Sequence, residues 1–181
     1  MRVIAGKYKG RSLVAPKEDA RPTLDRMKET LFNILNFKLE NAIVLDLFAG
    51  SGQLAIESLS RGAERAILCD NSKQALSAIQ ANFSKINVRP EIIFGNYTDC
   101  LAKLQFKFDV VFVDPPYKSG YYLDVLQKLG DYDLLKSDGW IVCEHLASDN
   151  LPEQTDKFVL FDTRKIGTVK FDFYERRKLC E

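Results

Sequence analysis

The 181-residue sequence predicts an α/β fold: a doubly wound, mostly parallel seven-stranded sheet with an antiparallel C-terminal hairpin, preceded by a β-hairpin and a helix. Three observations carry this. Short apolar runs ending in a carboxylate recur at Val44-Leu45-Asp46, Ile67-Leu68-Cys69-Asp70 and Val111-Phe112-Val113-Asp114. Segments of helical period separate them, which is the rhythm of strand–helix–strand crossovers. The last 25 or so residues break that rhythm, leaving room for strands but not for a crossover helix.

Taken in order, residues 3–8 and 11–15 read as a hairpin turning at Lys9-Gly10. Leu24, Met27, Leu31, Ile34 and Leu35 then mark one face of a helix. Strands are expected near 42–47, 65–70, 91–95, 108–114 and 139–145, with helices near 53–61, 73–86, 97–104 and 119–129. Gly62 and Gly130 stand where helices should stop. Segments 158–163 and 168–174 face each other across Gly167, and Val169, Phe171 and Phe173 alternate with Lys170, Asp172 and Tyr174. No repeat or low-complexity linker interrupts the chain, so we expect one domain over 1–181, made of a basic extension (1–40) and a catalytic core (41–181).

Composition narrows the class. With 46% hydrophobic and 28% charged residues the chain can bury a sizeable core. No stretch approaches the roughly 18 uninterrupted apolar residues of a membrane span. Arg2 leads into a mixed polar segment instead of a signal-peptide core, so a cytoplasmic location and no membrane partner are expected. Cys69, Cys100, Cys143 and Cys180 show no C-x-x-C pairing and read as free thiols, and the single His145 has no second histidine to chelate with. We therefore expect no metal and a structural role for His145.

The chemistry concentrates at two strand ends. Asp114-Pro115-Pro116-Tyr117 follows the apolar run 109–113, and ligands of open α/β sheets bind at that carboxyl edge. Each proline fixes its own φ and drives the preceding residue toward an extended conformation. Asp114 and the Pro115 carbonyl can then accept both hydrogens of a planar exocyclic amine while Tyr117 stacks on its ring. Such stacking is worth about 1–3 kcal/mol. Held this way, the amine aims its lone pair at an electrophile without needing a strong base.

The second motif is Asp46-Leu47-Phe48-Ala49-Gly50-Ser51-Gly52, a strand running into a glycine turn and a helix, with Asp70 ending the next strand about 20 residues later. Glycines permit close approach to a ligand, and an acid at that distance suits ribose hydroxyls. Gly50-Ser51-Gly52-Gln53-Leu54-Ala55 also satisfies the dinucleotide fingerprint. Asp46 separates the two readings, because a carboxylate there repels a pyrophosphate but suits a cationic centre such as the sulfonium of S-adenosylmethionine.

Together these motifs resemble class I S-adenosylmethionine-dependent amino-methyltransferases with their Rossmann-like core. The opening segment narrows the resemblance. Arg2-Val3-Ile4-Ala5-Gly6-Lys7-Tyr8-Lys9-Gly10-Arg11, Leu13, Pro16 and then Arg21-Pro22-Thr23-Leu24-Asp25-Arg26-Met27-Lys28-Glu29-Thr30-Leu31-Phe32 resemble the RsmD family of 16S rRNA guanine-N2 methyltransferases. That resemblance spans nearly the whole chain, departing at Gln53, where a smaller residue is expected.

The resemblance implies transfer of a methyl group from S-adenosylmethionine to a guanine N2 of 16S rRNA in the small ribosomal subunit, leaving S-adenosylhomocysteine. It implies a monomer in the cytoplasm. Asp114, Pro115, Pro116 and Tyr117 take the catalytic roles. Asp46, Phe48, Ala49, Gly50, Ser51 and Gly52 hold the methionine half of the cofactor, Asp70 and Asn71 the ribose side, and Asn96 and Tyr97 the adenine. Arg21, Arg26 and Lys118 are candidates for RNA phosphates. Charge distribution agrees: residues 1–28 carry eight basic side chains (Arg2, Lys7, Lys9, Arg11, Lys17, Arg21, Arg26, Lys28) against three acids (Glu18, Asp19, Asp25), in a chain whose sum is +1.

Three other readings stay open at this point. A DNA adenine- or cytosine-N methyltransferase would use the same Asp-Pro-Pro-Tyr chemistry, which orients any planar amine. An NAD(P)-dependent oxidoreductase would use the glycine loop but finds no acid–base pair near Asp114. A binding module could keep the fold without turnover.

Overall fold

The computed structural model describes residues 1–14, 22–116 and 119–178, with the backbone alone for 22–24. Its elements run α1 (Pro22–Leu35), a 3-10 turn (Asn36–Lys38), β1 (Ile43–Asp46), α2 (Gln53–Ser60), β2 (Arg65–Asp70), α3 (Lys73–Ile86) and β3 (Glu91–Phe94). They continue with α4 (Tyr97–Lys103), β4 (Phe108–Val113), α5 (Tyr122–Asp131), β5 (Leu135–Leu146), β6 (Phe158–Ile166) and β7 (Val169–Arg176). The seven strands form one sheet in the order β3-β2-β1-β4-β5-β7-β6. β1 to β5 pair in parallel, and β7 enters antiparallel between β5 and β6.

Side-chain alternation sorts the strands between two cores. Val44, Leu68, Phe112, Val142 and Phe171 face Met27, Leu31 and Phe32 of α1, Ile56 of α2 and Phe83 of α3. Leu45, Cys69, Val113, Cys143 and Tyr174 face Leu101 of α4 and Val125, Leu126 and Leu129 of α5. Burial on both faces explains why these strands read as unbroken apolar runs. The chain leaves β1 toward β2 and β3, then returns to β4 on β1's other side, so the crevice outside β1 and β4 lies where the winding reverses.

Four sequence expectations shift. The N-terminal hairpin is a tight return with one antiparallel bridge, Arg2 with Ser12, flanked by Val3 N–H to Arg11 O at 3.0 Å and Leu13 N–H to Met1 O at 2.9 Å. Among the described residues it forms no two-strand ladder, because the loop's amides serve α2 instead. Ile4 and Ala5 donate to the Glu57 carboxylate at 2.8 and 3.1 Å, Lys7 to Ser60 O at 2.7 Å and Tyr8 to Ser60 Oγ at 2.9 Å. Gly130 lies inside α5, which runs on to Asp131, and Asp133 makes the left-handed turn (φ 53°). β5 begins at Leu135, four residues early, with a register shift opposite Phe108 and Val110. α5 starts at Tyr122, after the segment that holds Tyr117 and Lys118, which lie outside the described residues.

His145 is fully buried, its Nε2 2.9 Å from Asp172 Oδ2 and its Nδ1 donating to Leu146 O at 3.0 Å. Thr163 Oγ1 donates to the other Asp172 oxygen at 2.7 Å. Burial pushes Asp172 up, but the bonds from His145 and Thr163 outweigh it and hold the carboxyl below its ordinary value. These three residues stitch β5 to β7 and β6. Cys69, Cys100 and Cys143 are buried free thiols, and Cys180 lies outside the described residues.

Candidate active site

A cleft of about 1080 Å³ opens along the carboxyl edge of the sheet. Its lining takes in Asp46, Phe48, Ala49, Gly50, Ser51, Asp70, Asn71, Asn96, Tyr97, Asp114, Pro115 and Pro116, so the two motifs singled out in the sequence share one space. Gly52 is not part of the lining. Tyr117, Lys118 and Arg21 lie outside the described residues. Arg26 is exposed on α1 and is not part of the cleft.

The glycine loop is built by backbone geometry. Gly50 and Gly52 have φ of 53° and 74°, a region that L side chains rarely adopt. A Cβ on Gly52 would come within 3.1 Å of Leu68 and Phe83, so Gly52 lets α2 start tight against the sheet. A Cβ on Gly50 would meet nothing within 4 Å, because that position opens onto the cleft. Asp70 pins the loop, its Oδ2 accepting from Gly50 N–H at 2.9 Å and its Oδ1 from Ser72 N–H at 2.8 Å. Ser72 in turn caps α3.

Asp46 lies under the loop at 1% exposure, with Oδ2 accepting from Ala55 N–H at 3.3 Å in the first turn of α2. Burial, and then the Asp114 charge, push its pKa up to about 7. Asp46 and Asp70 end β1 and β2, Asp114 follows the last residue of β4, and Glu144 lies two residues before the end of β5; the four carboxyl groups belong to neighbouring strands and line one wall of the cleft.

The rim beyond β3 is aromatic. Phe48, Tyr97 and Tyr121 form a trio, with centroids 5.7 Å apart for Phe48–Tyr97 and 5.0 Å for Tyr97–Tyr121. Tyr97 donates to Asp124 at 2.8 Å, and burial followed by that bond pushes its pKa up to about 12. Asn96 is the N-cap of α4, its Oδ1 accepting from Asp99 N–H at 2.9 Å. Its side chain is thus engaged in the turn, with Nδ2 donating to Asp99 Oδ2 at 2.9 Å.

Sequence reasoning missed the far wall. Met27, Lys28 and Leu31 of α1, Glu144 of β5, Phe171 of β7, Tyr121 and Gln53 all line the cleft. Lys28, counted among basic arm residues, is 4% exposed; it donates to Arg2 O at 2.5 Å and sits 3.7 Å from Glu57, which also accepts from Arg61 at 2.9 Å. Burial lowers its pKa, with Glu57 and Asp25 working against the shift. Its place on the Leu24–Met27–Leu31 face was the available signal, being four residues after Leu24.

A parallel sheet whose winding reverses beside a glycine loop, closed by an antiparallel strand inserted between two others, is the fold of the class I methyltransferases. Known proteins agree. The family described as Conserved hypothetical protein 95 matches residues 1–175, and the chain belongs to it, the RsmD family. The YlbH protein of Bacillus subtilis strain 168 is 36% identical over 183 residues, 98% of this chain and 100% of that one. Ribosomal RNA small subunit methyltransferase D of Escherichia coli K12 is 32% identical over 178 residues, 97% and 90% of the two chains. The solved structure of Escherichia coli yhhF superposes with a TM-score of 0.86 at 32% identity, covering 97% of each.

Proposed function

We propose that this protein transfers a methyl group from S-adenosylmethionine to the exocyclic N2 of a guanine in small-subunit rRNA, acting as a cytoplasmic monomer. One observation carries the reading: the Asp114-Pro115-Pro116 turn and the loop over Asp46 face a single cleft.

The cleft suits S-adenosylmethionine. The carboxyl groups of Asp46 and Asp70 in its cofactor half favour a cationic ligand and disfavour a pyrophosphate. Gly50 leaves open space, Asp70 holds the loop while keeping further lone-pair directions for hydroxyl donors, and Phe48 and Tyr97 offer apolar faces to a flat ring. Bound there, the cofactor would supply an electrophilic methyl carbon, to which the N2 lone pair would bond as the C–S bond breaks with its electron pair left on sulfur.

Asp114 and the Pro115 carbonyl accept the two N2 hydrogens and so fix the lone pair's direction. The proton N2 loses leaves through the Asp114 carboxylate to water. A duplex base must leave its stack to enter, which costs a few kcal/mol and less from a loop. Arg21, Arg26 and Lys118 remain the proposed phosphate contacts. The name of the Escherichia coli relative supports the rRNA assignment.

The test is transfer of labelled methyl to small ribosomal subunits and to naked DNA side by side, with nucleoside analysis. Label as N2-methylguanosine in the subunit RNA is the expected result. Label as methylated adenine or cytosine in DNA would overturn the substrate while leaving the cleft's chemistry intact.

A further inference from the structure

We infer that Glu144 is a specificity-determining residue of this cleft, accepting the N1–H of the target guanine beside the N2 held by Asp114. The inference rests on the guanine-N2 reading above and deepens it.

The strand register sets this up. Val113 of β4 pairs with Cys143 of β5, so the next residues along, Asp114 and Glu144, emerge side by side at the carboxyl edge. Alternation sends Glu144 to the same face as Val142, toward α1, and away from Cys143. Its antiparallel partner Phe171 lines the cleft with it. Tyr122 donates to the Glu144 carbonyl at 2.7 Å, which fixes the stretch of β5 that carries this side chain.

Base chemistry supplies the rest. Asp114 and Pro115 can hold any planar amine, so they do not distinguish the amino-bearing bases. The ring atom next to the amine does. Guanine presents a donor there, N1–H, on the same edge as one N2 hydrogen; adenine and cytosine present acceptors, N1 and N3. An ionised carboxylate is an acceptor only, so it bonds guanine and opposes the other two. A carboxylate on N1–H also feeds electron density into the amidine-like N1–C2–N2 unit as N2 attacks.

The probe is target RNA in which the methylated guanine is replaced by 2-aminopurine, which keeps the 2-amino group but has no N1 proton. Wild type, Glu144→Gln and Glu144→Ala are compared for kcat/KM on both RNAs and for S-adenosylmethionine affinity. Wild type should prefer guanine. Glu144→Ala should lose on the order of tenfold to a hundredfold on guanine, with no loss, or a gain, on 2-aminopurine and little change in cofactor affinity. Glu144→Gln, which can turn its carbonyl to N1–H, should recover part of the loss. Equal losses on both RNAs, or none on guanine, would overturn the inference, since a merely structural residue cannot tell the two apart. Absence of N2-methylguanosine from wild type would instead sink the guanine reading itself, and this inference with it.

Discussion

At the scale of single residues, Asp46 gives the sharpest prediction because its raised pKa has a sign. The folded value of about 7 stands above the ordinary aspartate value, so its contribution to stability is fully present below about pH 4 and is lost as pH rises through about 7. Replacing it with Asn should remove that loss, seen as a flatter dependence of melting temperature on pH between 4 and 7.5. A cationic ligand reverses the balance by favouring the carboxylate. S-adenosylmethionine should therefore bind more tightly as pH rises from 5.5 to 7, by at most tenfold per unit, and release protons on binding. Calorimetry in buffers of different ionisation enthalpy would show it, and an unchanged slope in Asp46→Asn would contradict it.

The elements show how far each residue's role could be read ahead of the structure. Asp46, Asp70 and Asp114 were legible because each ends an apolar run, and a strand's end is a local property of the sequence. Glu144 was not, since only the pairing of β5 with β4 brings it beside Asp114, and pairing partners are not local. Glu57 and Lys28 were hidden for a similar reason. Both look like solvated helix charges until the N-terminal loop folds over α2 and seals them in. Gly6 makes that docking possible: at φ 82° its missing Cβ would lie 1.7 Å from Ser60 O. Gly6→Ala should undock the loop and cost about 1–3 kcal/mol in chemical denaturation. Asn82 is a second fastening, fully buried, accepting from Val14 N–H at 2.6 Å and donating to Val14 O and Ser51 O at 3.0 Å. Asn82→Ala should cost about 1–3 kcal/mol through those backbone groups and weaken cofactor binding through Ser51. Unchanged affinity would show that the loop holds its shape without it.

Across the whole molecule the charges divide by role. Carboxylates gather inside the cleft, while Arg2, Lys7, Lys9, Arg11 and Arg26 are exposed on the N-terminal segment and α1. Joint substitution of Arg21 and Arg26 by Ala should lower RNA affinity at every salt concentration and reduce the slope of log K against log[salt] by about 1–2. An unaltered slope would remove both from the RNA surface. Lys28, buried against Glu57, should not behave as a phosphate contact.

The central claim is that one cleft has two separable halves, a cofactor half over Asp46 and Asp70 and an amine-orienting half at Asp114. Single-turnover methyl transfer and S-adenosylmethionine affinity, measured together for wild type, Asp114→Ala and Asp70→Ala, test it most directly. Asp114→Ala should lose transfer by on the order of a hundredfold to ten-thousandfold while binding the cofactor nearly as wild type does, and Asp70→Ala should lose cofactor affinity first. Wild-type transfer by Asp114→Ala would contradict the account.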